Sequence, residues 1–242
     1  MSQRKLLGML TPSSNTVLEP TCAAMLAGVP NVTAHFARFR VTQIALSATA
    51  LRQFDEQPML QAAELLADAR VNAICWNGTS AGWLGLHADR TLCKAIGQRT
   101  GIGATTSLLA LEEIFRSSGV KRYALVTPYL DEVQRAIIAT FRGEDFECIA
   151  ERHLELRDNF SFSEVAGPTV ADMVRSVAVS RPDAIAIVCT NLRAAALVEE
   201  LERQTGVPIY DTAATAVWGA LRVAQIDPKQ VLGWGRLFRE LA

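Results

Sequence analysis

The sequence predicts an α/β protein of two lobes related by a pseudo-twofold axis, each a parallel sheet flanked by helices, with a site in the cleft between them. Three observations carry that expectation. Short apolar runs alternate with segments of helical spacing along the chain, the pattern of parallel strands joined by helical crossovers. Two of those runs stop abruptly at small polar residues: Ala73-Ile74-Cys75-Trp76 leads into Asn77-Gly78-Thr79-Ser80, and Ala184-Ile185-Ala186-Ile187-Val188 into Cys189-Thr190-Asn191. Finally, the chain repeats itself in order. Residues 5–12 and 121–128 share a basic start and a Thr-Pro end, Thr100-Gly101-Ile102 is echoed by Thr205-Gly206-Val207, and 107–118 by 212–224. Matched segments in one order amount to an internal duplication.

Taken in order, residues 5–12 read as a buried strand closed by Thr11-Pro12-Ser13-Ser14-Asn15, a loop rich in hydroxyl and amide groups. Residues 16–26 have helical spacing, with Glu19 and Pro20 suited to a first turn. Residues 31–39 alternate Val32, Ala34, Phe36 and Phe39 with other residues, as a strand does. Residues 42–56 show no clear period and are read as a mobile helical lid, whereas 57–70 form an amphipathic helix. The strand ending at Gly78 is followed by a helix over 87–100, a short strand over 101–105, and a helix over 107–118 that stops at Gly119. The second lobe then offers strands over 121–128, 146–156, 182–188 and 207–210. Helices are expected over 130–141, 168–180, 193–204 and 212–224.

The duplication divides the chain into an N-terminal lobe of residues 1–105 with 211–242 and a C-terminal lobe of residues 106–210. Ligands of open parallel sheets sit outside the carboxyl ends of the strands, so residues 11–15, 78–80, 127–129 and 189–191 are expected to converge.

Composition narrows the function. The 242 residues, 50% hydrophobic and 20% charged, describe an ordinary globular chain with a formal net charge of −1. Nucleic acid and anionic membrane are therefore not expected partners. The apolar run after Met1-Ser2-Gln3-Arg4-Lys5 is too short for a secretory signal and no stretch reaches membrane-spanning length, so a soluble, cytoplasmic protein is expected. Apolar helix faces point to a homo-oligomer. Cys22, Cys75, Cys93, Cys148 and Cys189 are odd in number and without CxxC spacing, which argues for reduced thiols. His35, His87 and His153 lack metal-ligand spacing, so no metal is expected. Gly101-Ile102-Gly103 lacks a third glycine, and neither GxxxxGK[ST] nor GxSxG occurs, so no nucleotide cofactor is expected either.

The candidate chemistry lies at the strand ends. Cys189, between a buried strand and a helix, can have its pKa lowered by backbone N–H groups and the helix dipole; alternatively it is a small buried hydrophobe. Cys75 reads as core, and Cys22, Cys93 and Cys148 as structural. Thr79, Ser80, Thr190 and Asn191 can hold a carboxylate without a full positive charge, or cap helices. Pro12, Ser13 and Asn15 admit the same pair of readings. Tyr129 offers a phenol to the cleft or packs as an aromatic. Asn159 reads from its neighbours as an ordinary loop residue. Aligning the two strand ends sets Cys189 against Gly78, so one lobe ends in a thiol and the other in glycine.

Five ordered motifs, residues 11–20, 78–80, 126–129, 158–160 and 189–191, resemble the maleate isomerase and arylmalonate decarboxylase branch of the aspartate/glutamate racemase superfamily, over nearly the whole chain. The resemblance implies a cofactor-free enzyme that makes or breaks a C–H or C–C bond beside a carboxylate. It implies that Asn15, Tyr129 and Asn159 bind substrate carboxylates and that Thr79 and Ser80 belong to an oxyanion pocket. Racemases and isomerases of this kind use two facing cysteines; the decarboxylases resemble this chain in having glycine first and cysteine second. Decarboxylation of a small substituted malonate-like dicarboxylate is the resulting expectation. Cys189 would protonate an enediolate held by Thr79, Ser80, Tyr129 and the Thr190 N–H, and Gly78 would leave room for a substituent. A maleate-type cis–trans isomerase or Asp/Glu-type racemase, with Cys75 or another nucleophile substituting, is one alternative; a non-catalytic dicarboxylate-binding protein is the other.

Overall fold

The computed structural model describes residues 4–241. Met1 to Gln3 and Ala242, which the lobe assignment and the reading of the N-terminal stretch include, lie outside the described residues. The first half runs β1 (Lys5–Pro12), α1 (Leu18–Leu26), β2 (Val32–Phe39), α2 (Ala48–Leu51), α3 (Glu56–Asp68), β3 (Ala73–Trp76), α4 (Ala81–Leu84), α5 (Leu86–Thr100), β4 (Ala104–Thr106) and α6 (Ser107–Ser117). The second runs β5 (Arg122–Val126), α7 (Asp131–Gly143), β6 (Glu147–Arg152), α8 (Gly167–Ala178), β7 (Ala184–Ile187), α9 (Val198–Thr205), β8 (Ile209–Asp211), α10 (Thr212–Val223) and α11 (Arg236–Glu240).

The runs without polar alternation become central strands, because helices cover both faces of a parallel sheet. Strands β3 and β7 are buried at every residue. Two parallel four-stranded sheets result, ordered β2-β1-β3-β4 and β6-β5-β7-β8, so the chain is α/β with the same strand order in each half. Register does the positioning. Leu10 lies beside Trp76, which brings the ends of β1 and β3 together, and Val126 beside Ile187 does the same for β5 and β7.

The two halves exchange helices. Helix α6 follows β4, yet its Phe115 packs on Tyr123, Phe141, Phe146 and Tyr210 of the second half, at ring separations of 5.2 to 6.1 Å. Helix α10 follows β8 and packs back on β3, β4 and α1, and against α6. Thr212 through Leu221 are all buried, as a helix wedged between two layers requires. The Thr106 hydroxyl caps α6 by accepting from the Leu109 N–H, and the Asp211 carboxylate caps α10 by accepting from Ala213 and Ala214.

Three expectations need adjustment. The strand expected to reach Gly78 stops at Trp76, because the Asn77 amide turns back to donate to the carbonyls of Leu10 and Cys75. The helix expected over 193–204 begins only as a 3-10 turn at Ala195–Leu197, so no helix starts directly after Cys189. Residues 42–56 contain α2 and a 3-10 turn, Arg52–Phe54, and are tied to the other half: the Ile44 N–H donates to Arg157 O at 2.9 Å and the Asn159 N–H to Thr42 O at 2.9 Å. Among the described residues, no helix is long and apolar enough to cross a membrane.

Candidate active site

The carboxyl ends of β1, β3, β5 and β7 enclose a cavity of about 20 Å³, lined by Pro12, Val41, Ile44, Phe54, Trp76, Gly78, Thr79, Trp83, Tyr129, Asn159, Cys189 and Thr190. None of these carries a formal charge. Anything anionic bound here is held by neutral donors alone.

Cys189 is 1% exposed, and its own N–H donates to Thr212 Oγ1 at 3.0 Å. The Thr212 hydroxyl donates onward to Ile187 O at 3.2 Å, fixing the turn that carries the thiol. Burial pushes the thiol up to about 12; hydrogen bonds from Tyr129 and from the Asn191 and Leu192 N–H groups pull the other way and do not compensate. The expected lowering by a helix dipole does not occur, since the chain turns through residues 190–194 before any helix begins. At neutral pH this group is a thiol with a proton to give.

Tyr129 and Thr79 share a buried 2.7 Å hydrogen bond across the halves. The phenol is raised well above its ordinary value by burial, with the neighbouring Cys189 adding to it, and so stays a neutral donor. Trp83 and Phe162 stand edge-on to the Tyr129 ring at 5.6 and 5.4 Å and hold its orientation. Trp83 lines the same cavity, and its buried Nε1–H has no hydrogen-bond partner.

Gly78 faces no open space, contrary to the expectation. A Cβ built there would stand 2.0 Å from Trp76 Cζ2, 2.4 Å from Cε2 and 2.5 Å from Cη2, because the fully buried Trp76 indole lies over it. The indole leans on Phe39, 5.0 Å away, and its Nε1–H donates to Ser80 Oγ at 3.4 Å. The Gly78 carbonyl accepts from the Ser107 hydroxyl at 2.5 Å.

Of the residues singled out from sequence, Cys189, Pro12, Gly78, Thr79, Tyr129, Asn159 and Thr190 meet at the cavity, and Ser13, Asn15, Ser80 and Asn191 do not line it. Those four have other partners. Asn15 Oδ1 caps α1 by accepting from the N–H groups of Val17 and Leu18, while its Nδ2 donates to Thr190 Oγ1 at 3.1 Å. Asn191 Oδ1 accepts from Thr16 N–H at 3.0 Å, and its Nδ2 donates to Asn159 O at 2.6 Å. Thr190 Oγ1 donates to Asn77 O at 3.0 Å. These amides stitch the two halves together, an outcome their local sequence does not reveal. Ser13 is exposed beside Val41, and Ser80 faces the pocket behind Trp76.

Cys75 is buried off the cavity wall, its Sγ turned to Trp76 O at 3.7 Å, and does not oppose Cys189. Sequence reasoning missed Val41, Ile44, Phe54, Trp76 and Trp83. The side-chain period of a strand, two residues, was the available signal for Trp76: it sets residues 76 and 78 on one face. Among the described residues, no group of three or more His, Cys, Asp or Glu is placed to hold a metal ion.

Comparison with known proteins agrees with the fold. The chain is 29% identical over 243 residues to a maleate isomerase of Nocardia farcinica, covering 97% of this chain and 95% of that one. It is 30% identical over 166 residues to an arylmalonate decarboxylase of Bordetella bronchiseptica, covering 67% of this chain and 69% of that one. A Nocardia farcinica maleate cis-trans isomerase variant, solved with a covalently bound succinylcysteine intermediate, superposes with a TM-score of 0.90 at 26% identity over 98% of this chain and 99% of that one. The family model described as arylmalonate decarboxylase matches residues 7–238, and the chain belongs to that family.

Proposed function

We propose that this protein is a cofactor-independent decarboxylase of a small substituted malonate-like dicarboxylate. The observation that carries the reading is a buried thiol on the cavity wall, which carries no second thiol and has at the matching strand end a glycine under an indole. Racemisation and two-thiol isomerisation need a second group on the far side of the carbon. Loss of CO₂ does not.

In this reading one substrate carboxylate lies on Thr79 Oγ1, the Tyr129 hydroxyl and the Thr190 N–H, and the other against the apolar side chains of Val41, Ile44 and Phe54. An ionised group in apolar surroundings loses hydration, and breaking its C–C bond releases it as neutral CO₂. The bonding electrons pass into the retained carboxylate, which becomes an enediolate stabilised by those fixed donors. The Cys189 S–H then protonates the α-carbon from one side, and the thiolate regains its proton from water. Incubation with a panel of α-substituted malonates should release CO₂. Absence of turnover across the panel, or full turnover by Cys189→Ala, would refute the proposal.

A maleate-type isomerase is the second reading, favoured by the Nocardia relative. It requires a nucleophile to add to the double bond in place of a first-lobe thiol. Cys75 is off the cavity wall, which among the cysteines leaves Cys189, as a thiolate. Conversion of maleate to fumarate at a rate above that of malonate decarboxylation would establish it.

We assign residues 1–105 with 211–242 to one lobe and 106–210 to the other, on the packing of α10 against β3 and β4. A cytoplasmic setting is proposed from the unpaired thiols, and a homo-oligomer from the exposed Leu65, Val179 and Leu232 side chains.

A further inference from the structure

The catalytic cavity, at about 20 Å³, has room for one water molecule and no diacid. A wall has to move. Two of its residues, Trp76 and Phe54, also line a second pocket of about 280 Å³, near the lower end of ligand-pocket volumes at roughly 300 Å³. The indole is therefore a partition with the acid-donating cavity on one side and a void on the other.

The void suits an indole. Met59, Leu84 and Leu92 give it apolar sides, and the buried carboxyl of Asp89, already accepting from Thr106 Oγ1 at 2.5 Å, lies on its wall. The Trp76 N–H now reaches Ser80 Oγ at 3.4 Å, the outer limit of a hydrogen bond, and a carboxyl acceptor in the void would serve it better. Glu56 and Asp89 also make the void a poor place for a substrate carboxylate. The indole is the nearest obstacle to any atom over Gly78, since three of its carbons lie within 2.5 Å of the position a Cβ would take.

We propose that Trp76 is a specificity-determining residue that moves: its indole swings from over Gly78 into the neighbouring pocket, and the vacated space receives an uncharged, apolar α-substituent of the substrate. This rests on the decarboxylase reading and deepens it by naming the substituent class and the side chain that admits it. Residues 41–54, which supply Val41, Ile44 and Phe54, accommodate the departing carboxylate; the substituent requires the indole to leave.

The test uses the full chain labelled with 5-fluorotryptophan, which gives four fluorine resonances for the four tryptophans. Trp76→Phe identifies the Trp76 signal. Phenylmalonate should shift that signal, unsubstituted malonate should not, and Leu92→Phe, which narrows the void, should suppress the shift. A Trp76 signal that stays put while the Trp83 signal responds to phenylmalonate overturns the proposal, as does a signal that responds to both diacids alike or to neither. CO₂ release is measured in the same samples. Release with a silent Trp76 signal defeats the moving indole and leaves the decarboxylase reading; a shifted signal without release defeats the decarboxylase reading and leaves the moving indole.

Discussion

Replacing Gly78 by alanine tests the steric core of the site. The backbone at Gly78 is not among the positive-φ positions, so φ does not bar an L-residue there, and the nearest opposition is the indole. The new methyl would stand 2.0 to 2.5 Å from three indole carbons, far inside ordinary contact. Forcing extra carbon into a packed site costs about 1–3 kcal/mol. Against this, alanine restricts the unfolded chain and returns about 0.4–1 kcal/mol. The single variant alone is therefore ambiguous, and a double-mutant cycle with Trp76→Leu removes the ambiguity because the unfolded-state contribution appears on both sides. Urea unfolding of wild type, Gly78→Ala, Trp76→Leu and the double variant should give a coupling energy of about −1 to −3 kcal/mol, the second substitution being cheaper once the indole is gone. A coupling smaller in size than about 0.5 kcal/mol would mean that the indole does not occupy this space, and the argument for Trp76 as a wall would fall. The same logic extends to chemistry. Gly78→Cys in the Trp76→Leu background should gain deuterium exchange on both faces of a bound α-substituted acid.

Cys189, held at about 12 by burial, should keep its proton through the alkaline range, so decarboxylation should show no loss with an apparent pKa between pH 7 and 10 in a kcat profile; an inflection near 8.5, the ordinary thiol value, would contradict the buried donor. Tyr129→Phe removes the hydroxyl that bridges Thr79 and faces the thiol, and kcat should fall by about 10²–10³, measured as CO₂ release, if that donor stabilises the enediolate. Asp211 is raised from 3.8 to about 7 by burial, so the fold favours its protonated form; its contribution to stability is complete below about pH 4 and is lost as pH rises to 7. At about 1.4 kcal/mol for each tenfold in the proton equilibrium, the loss is at most roughly 4 kcal/mol. Asp211→Asn should flatten that part of the curve, so unfolding free energies of variant and wild type should draw apart between pH 4 and 7; parallel curves would refute it.

The duplication, the strand order and the convergence of four strand ends were legible in the sequence, because each depends on short local patterns repeated in order. The place of Cys189 at the end of a buried strand was legible for the same reason. The charge state of that thiol was not, since it is set by burial, which comes from the packing of the whole fold and leaves no local pattern. Asn15 and Asn191 lie off the cavity wall: Asn15 caps α1, the second of its two sequence readings, and both amides also bond across the seam to partners 174 or 175 residues away, which no local pattern records. Residues 42–56 carry no period because they fold against Arg157 and Asn159 of the opposite half instead of forming a regular element. The indole over Gly78 was readable in principle, two residues upstream on one strand face, and was hidden by reading glycine as space.

Relatedness cannot choose between the two chemistries of the family, since identity to the isomerase and to the decarboxylase is 29% and 30%. The electrostatics of the cavity can. Burial holds the Cys189 thiol in its protonated form, so a mechanism that begins with thiolate attack must first ionise a buried group. Donating the proton to an enediolate faces no such penalty, because the acid is already in its reactive form. The absence of any charged side chain on the wall acts in the same direction. A dianion brought into such surroundings is destabilised by both of its charges, and expelling one as CO₂ relieves part of that cost, whereas cis–trans isomerisation leaves both in place. The substrate for which this cavity offers the greatest relief is therefore one that leaves it with a single carboxylate.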